Sequence, residues 1–327
     1  MDNIPFIDTH CHVLPVAKET KPLSALLLNY AVLPTFLSAG MPEKLANGIA
    51  ASSLPKEEAK RAVLAYLPII AQTSAAEAVC RGILAWTTVQ GAQITAENYD
   101  AIERALHEKP QNAWRASFRQ ANLRKALINV NSAEGAALFT GKTLLPADFN
   151  EYFALIPTFD AHALHPEEPH IQGVAKHLGL SLETLADYLA FIEVYLDGFM
   201  QKFPVAGLKI SEQYFRRLDY APQLRENAEK LYARGANREK ALLDFITMHV
   251  FALAELRGLT VQFHTGMLWR EPGTENLHPT DLCESIRRFP KLRFDLLHLG
   301  FPYLGAAAAM ALNARNVSLN LSWLPLI

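Results

Sequence analysis

Ile4-Pro5-Phe6-Ile7-Asp8-Thr9-His10-Cys11-His12 is an apolar run that ends in two histidines two residues apart. Its composition predicts a β-strand, and a strand sends alternate side chains to the same face, so both imidazoles leave its C-terminal end in one direction. Neutral imidazoles bind zinc and related divalent metals at about 2.0–2.1 Å, and a pair on one rigid strand is half of such a site. Cys11, between them, is expected to face the other way as a small buried apolar residue.

The rest of the chain gives this strand its setting. From Val13 to about Asn122 the pattern is helical, with segments Lys56 to Ala71, Ala75 to Thr88, Ala96 to Glu108 and Asn112 to Asn122 entered at Pro55, Ser74, Thr95 and Pro110. A connection of that length is far beyond an ordinary loop, so residues 13–122 read as a helical insertion, a lid or subdomain, placed after the first strand. Beyond it, short apolar runs alternate with amphipathic stretches. Strands are predicted at Lys125 to Asn131, Phe153 to Asp160, Val205 to Ile210, Leu259 to His264, Leu292 to His298 and Val317 to Ser322, with helices near Ser181 to Lys202, Asn237 to Arg257, Pro279 to Phe289 and Tyr303 to Arg315. Strand and helix in regular succession predict a parallel sheet.

Polar residues gather where these strands end: His10, His12, Asn129, Asn131, Asp160, Lys209, His264, His298, Asn320 and Ser322. A (β/α)8 TIM-like barrel carries its catalytic groups on that rim, whereas an open doubly wound sheet concentrates its ligand at one switch point. The distribution therefore favours a barrel formed by residues 1–12 and 123–327. The chain contains no GxGxxG or GxxxxGK[ST] run to support a nucleotide fold.

Composition bounds the function. Half of the 327 residues are hydrophobic, a fifth are charged, and the net charge is −2, as in an ordinary globular protein. Basic residues are scattered, and Arg216-Arg217 and Arg287-Arg288 read as solvated helix faces, so no nucleic-acid partner is expected. Cys11, Cys80 and Cys283 form no CxxC pair, which excludes a thiolate zinc site and fits a reducing compartment. The first residues lack signal-peptide character and no apolar run spans a bilayer, so a cytoplasmic location without a membrane partner is expected. A small-molecule substrate is the expected partner, with homo-oligomerisation open.

His264 closes the strand Leu259-Thr260-Val261-Gln262-Phe263-His264, and His298 closes the next in Leu296-Leu297-His298-Leu299-Gly300-Phe301-Pro302-Tyr303. With Phe6 to His12, Gly207-Leu208-Lys209, Phe263-His264-Thr265-Gly266 and Asn316 to Trp323 taken in order, the chain resembles the amidohydrolase superfamily. The resemblance is to its second large branch, of uronate isomerase-like proteins, related decarboxylases and lactonases, and the amidohydrolase part of glutamine-synthetase-like fusion proteins. It implies that His10, His12 and His264 are metal ligands, that the metal is zinc, with manganese or iron as alternatives, and that His298 is a catalytic or second-site group near the substrate. Lys209 is read as a substrate-contacting cation, a metal bridge or a structural ion pair. Tyr303, His162, Trp269 and Arg270 are further substrate-contact candidates. His165 and His170 are expected in an extended loop with Pro166 and Pro169, and His107, His177, His249 and His278 as packing or surface residues.

The superfamily also carries an aspartate after its eighth strand. Only seven strands are counted here, and the chain reads as a barrel truncated after the seventh, as an incomplete barrel, or as one whose edge another chain covers. No substitute carboxylate is evident: Asp295 lies three residues before His298, so strict alternation turns it to the opposite face, and Asp281 falls in a predicted helix. The implied activity is metal-dependent hydrolysis of a C–N or C–O bond in a small carboxylated molecule. Uronate isomerase-like or decarboxylase chemistry is the alternative, and a catalytically silent binding protein lacking the aspartate is the third.

Overall fold

The computed structural model describes residues 4–16, 20–108, 113–266 and 276–323. Seven strands follow the chain order: β1 Phe6–Cys11, β2 Leu123–Val130, β3 Phe153–Pro157, β4 Gly207–Ile210, β5 Thr260–Phe263, β6 Arg293–Leu296 and β7 Val317–Leu319. Every ladder is parallel, joining β1 to β2 to β3 and β4 to β5 to β6 to β7. The two sets meet through parallel bridges Leu155–Val205 and Thr158–Lys209, tightened by the hydrogen bond from Leu155 N to Pro204 O at 2.7 Å. The strands stop short of the predicted ends: β3 precedes Asp160, β5 precedes His264, and β6 ends two residues before His298.

Side-chain bonds show that this array curls. The Asn129 amide on β2 donates to Gln262 Oε1 on β5 at 3.0 Å, and Gln262 Nε2 donates to Thr9 O on β1 at 2.9 Å. On a flat sheet β2 and β5 would stand about 14 Å apart at the usual spacing of 4.7–4.9 Å per strand, beyond any side-chain bond. Asn320, just past β7, donates to Thr9 Oγ1 on β1 at 3.0 Å. Among the described residues no backbone ladder joins β7 to β1.

Alternation then divides the strand residues. Phe263 and Phe294 face outward and stack at 5.2 Å, packed on Phe251 of the helix Lys240–Leu256. Their sequence neighbours Gln262 and Asp295 face inward. The helix Leu185–Lys202 begins with a capping box between Thr184 and Asp187 and buries Leu185, Leu189, Ile192, Leu196 and Phe199. Helices at Ser132–Phe139, Pro169–Leu178 and Arg225–Ala233 were not foreseen. The second corrects the extended loop expected around His170, because Pro169 occupies the first helical turn, where its missing N–H costs nothing.

The chain forms two compact units. One takes the described residues up to Val16 and from Asn122 to Ser322; the other takes the described residues from 20 to 121, with Trp323. The second unit is helical, with elements at Leu23–Leu27, Leu33–Ser38, Glu43–Ala50, Lys56–Ile70, Ser74–Thr87, Tyr99–His107 and Trp114–Gln120. It has its own apolar core, including Leu23, Phe36, Ile49, Val63, Leu67 and Ile102. Pro110 lies outside the described residues. Among them, no helix is long and apolar enough to cross a membrane.

Candidate metal centre

Four imidazoles from the ends of β1, β5 and β6 lie in ring contact. His10 and His12 meet edge to face with centroids 4.8 Å apart, His10 and His298 at 5.3 Å, and His298 and His264 at 4.8 Å. Within the first pair the two Nε2 atoms are 3.3 Å apart. His264 also packs against Tyr214 at 4.5 Å, and its backbone N–H donates to Ile210 O on β4 at 2.9 Å.

The environment keeps His10, His12 and His298 neutral. Lost hydration lowers the pKa of His10 far below the ordinary histidine value, and Lys209, His12 and His298 add to the effect. His12 is lowered by the same causes, desolvation and then Lys209. Burial, followed by Lys209, pushes His298 down to about 4. Neutral imidazoles are the donor type that a divalent cation uses.

Two further observations bear on such an ion. His10 Nδ1 is buried without a hydrogen-bond partner. Two nitrogens held at 2.0–2.1 Å on one tetrahedral ion stand about 3.3–3.4 Å apart, and His10 Nε2 and His12 Nε2 show that spacing. The pair fits a shared cation. Among the described residues, however, no three His, Cys, Asp or Glu side chains are placed to share one ion. His264 packs against His298 and Tyr214.

His298 is aimed by its backbone. It lies in the turn Leu297–Gly300, where His298 (φ 58°) and Leu299 (φ 51°) both adopt the left-handed region, which is uncommon for residues with a side chain. Its Nδ1 lies 3.1 Å from Ser322 O. Ser322 Oγ lies 3.2 Å from the same nitrogen; a carbonyl oxygen only accepts, so in the tautomer that donates to Ser322 O the ring proton is on Nδ1 and the lone pair on Nε2.

The same turn corrects the expectation for Asp295. Strand alternation ends at Leu296, so the count of three to His298 no longer sets opposite faces, and Asp295 points into the sheet interior. Its Oδ2 accepts from Gln262 Nε2 and Asn320 Nδ2, both at 3.0 Å, and its Oδ1 from Ser318 Oγ at 3.0 Å. Lys209, Gln262, Asp295 and Ser318 are successive register partners across β4 to β7, a polar row on one face. The signal was present in the sequence as one polar residue inside each apolar triplet: Leu208-Lys209-Ile210, Val261-Gln262-Phe263, Phe294-Asp295-Leu296 and Val317-Ser318-Leu319. Asn131, by contrast, caps the helix Ser132–Phe139 in a capping box with Glu134.

Lys209 is fully enclosed in this row. Its Nζ is buried without a hydrogen-bond partner, and burial lowers its pKa to about 7 against the opposing pull of Asp295 and Asp160. Among the described residues it makes no ion pair. Asp160 accepts the backbone N–H groups of Ser211 and Ala163, yet desolvation still raises its pKa. Glu212, absent from the sequence reading, is wholly buried beside it, accepts from Thr247 Oγ1 at 3.0 Å, and is pushed up to about 8 by desolvation and then by Asp160.

The remaining candidates are dispersed. His162 stacks on Phe215 at 4.7 Å and lines a hollow of about 440 Å³ with Asp160, His165, His170 and Arg238. Tyr303 lies against His278 at 4.4 Å and precedes the helix Leu304–Asn313. Neither is among the rings that touch the histidine cluster. Trp269 and Arg270 lie outside the described residues.

Comparison with known proteins follows the same lines. The amidohydrolase family model matches residues 221–326. No curated protein matches the chain by sequence. The fold is similar to that of uronate isomerase from Thermotoga maritima, with TM-score 0.70 and 14% identity over 97% of this chain and 75% of the other. Glucuronate isomerase from Caulobacter crescentus gives 0.69 and 15% over 97% and 73%. A Lactobacillus casei protein assigned as a metal-dependent hydrolase gives 0.59 and 16% over 99% and 75%.

Proposed function

We propose, from the premise that this chain is a member of the amidohydrolase superfamily, that it is a metal-dependent hydrolase of a C–N or C–O bond in a small, carboxylated substrate. One observation carries the reading. Imidazoles delivered by three strand ends form a single cluster in which His10 Nε2 and His12 Nε2 face each other at 3.3 Å.

His10 and His12 would hold a divalent cation, zinc first and manganese or iron next, with His264 as the further ligand reached from β5. Such a cation supplies Lewis acidity toward a substrate carbonyl and toward water. The chain's own groups do the rest. His298 presents the Nε2 lone pair, so at neutral pH it accepts a hydrogen bond or a proton. Its N–H is directed to Ser322 O and is not offered to an oxyanion. Lys209, held without a partner in the row beneath, is the cation available for a carboxylate.

A second reading, aldose–ketose isomerisation of a uronate, is favoured by the greater overlap with the two isomerases than with the protein assigned as a hydrolase. One set of measurements tests both. Protein loaded with zinc or manganese is expected to retain metal, and His10→Ala and His264→Ala to lose it. Turnover on a panel of amides, lactones and uronates then separates the reactions. Unchanged metal content in both variants, or turnover indifferent to chelation, overturns the proposal.

A further inference from the structure

The polar row under the histidines is connected to them on two sides, and we propose that Asp295 is the positioning residue that orients both ends of the cluster. The inference rests on the metal-centre reading of the histidines and extends it to a residue that touches none of them.

The first arm runs to β1. Gln262 Nε2 donates to Asp295 Oδ2 at 3.0 Å and to Thr9 O at 2.9 Å, the carbonyl of the peptide that leads into His10. The second runs to His298. Asn320 Nδ2 donates to Asp295 Oδ2 and to Thr9 Oγ1, both at 3.0 Å; Asn320 Oδ1 accepts Ser322 N at 3.0 Å; Ser322 O receives His298 Nδ1 at 3.1 Å. Ser318 Oγ fills the remaining side of the carboxylate at 3.0 Å.

The direction of every bond follows from the hub. A carboxylate only accepts, so it fixes the NH2 groups of Gln262 and Asn320 toward itself. Their carbonyl oxygens are thereby fixed toward Asn129 Nδ2 and Ser322 N. An amide at position 295 keeps one acceptor oxygen and replaces the other with an NH2, which meets donors if turned toward Gln262 and Asn320 and forces the Ser318 hydroxyl to reverse from donor to acceptor if turned toward Ser318; a buried network with a reversed member loses its unique arrangement. Asp295 is one-tenth exposed at most, so water cannot repair the fault.

The test is Asp295→Asn, with Asp244→Asn as control. Asp244 is also buried and accepts from Arg216, Lys240 and Ala221 N, and it shares no partner with this network. Cobalt(II) is the metal probe, read by its affinity and visible spectrum. The ring tautomers of His10 and His298 are read by 15N NMR in metal-free protein. Asp295→Asn is expected to weaken cobalt binding by about 10–100-fold, to alter the spectrum, and to erase the Nδ1–H tautomer of His298. Asp244→Asn is expected to lower thermal stability and leave all three unchanged. If Asp295→Asn does not fold, the arms are tested singly: Gln262→Met is expected to disturb His10 alone, and Asn320→Ala to disturb His298. Wild-type affinity, spectrum and tautomers in these variants overturn the positioning role. Protein that binds no cobalt, while its tautomers still respond to position 295, overturns the metal-centre reading and leaves the positioning role standing.

Discussion

A lysine ammonium is ordinarily kept at the surface, and Lys209 buries its Nζ without a hydrogen-bond partner. Burial has moved its pKa from 10.5 to about 7, so the folded state and the unfolded chain bind protons differently across that interval. Below pH 7 both states carry the ammonium, and the fold bears the whole cost of enclosing it. Between about 7 and 10.5 only the unfolded chain stays protonated, so stability climbs with pH; above 10.5 the difference is spent. Lys209→Met should therefore stabilise metal-free protein by about 1–3 kcal/mol near pH 6, the cost of an unsatisfied buried group. Its advantage over wild type should shrink steadily toward pH 10. Urea unfolding of the two proteins across that range is the check, and an advantage that stays level or grows with pH contradicts the assignment. An enclosed amine that lowers stability is the kind of residue retained for a ligand, so the same variant should lose substrate affinity.

At the scale of a strand, what could be read from the sequence and what could not divide along one physical line. Short apolar runs located the strands because burial on both faces of a parallel sheet leaves near-continuous apolar stretches, as in β3 and β4, where every residue is buried. The strand ends were set too late at Asp160, His264 and His298, because hydrophobicity continues into turns whose conformation depends on long-range contacts. For His298 that contact is Ser322, and the left-handed turn it accompanies is what placed Asp295 on the interior face. The inward row itself was visible residue by residue, yet only register, a property of paired strands, makes Lys209, Gln262, Asp295 and Ser318 neighbours. Gly207 guards that register. A Cβ there would overlap the carbonyl oxygen of Thr260, its partner on β5. Gly207→Ala should thus cost about 3 kcal/mol, the upper part of the range for overpacking a tight site, and displace Lys209 two residues on. Gly173, inside the helix Pro169–Leu178 with open space around its Cα, is the contrast: Gly173→Ala should gain about 0.5–1 kcal/mol from helix propensity and the lost freedom of the unfolded chain. Denaturant midpoints of opposite sign test the pair.

Over the whole molecule the decisive feature is that two sets of buried residues do not share members. The helical unit closes its own core around Leu23, Phe36, Ile49, Val63, Leu67 and Ile102. Polar contacts inside it, Leu23 N to Glu103 Oε2 at 2.6 Å and Lys60 to Asp100 at 2.6 Å, tie its first helix and its longest helix to the helix Tyr99–His107. The strand-bearing unit is built instead on Phe251, Phe263 and Phe294 outside the sheet and on the Asp295 network inside it. A segment with its own core opens as its own cooperative unit when few stabilising contacts are held in common. Calorimetry is therefore expected to resolve two unfolding transitions, each answering to its own core. Val63→Ala removes two methyl groups from a side chain with no exposure and should lower one transition by about 1–3 kcal/mol. Phe263→Leu, beside Gln262 on β5, should lower the other. Metal binding to the histidines stabilises only the unit that contains them, so cobalt should raise the transition that Phe263→Leu lowers and leave the Val63-sensitive one in place. A single transition shifted equally by both substitutions and by cobalt would mean that the two cores melt as one.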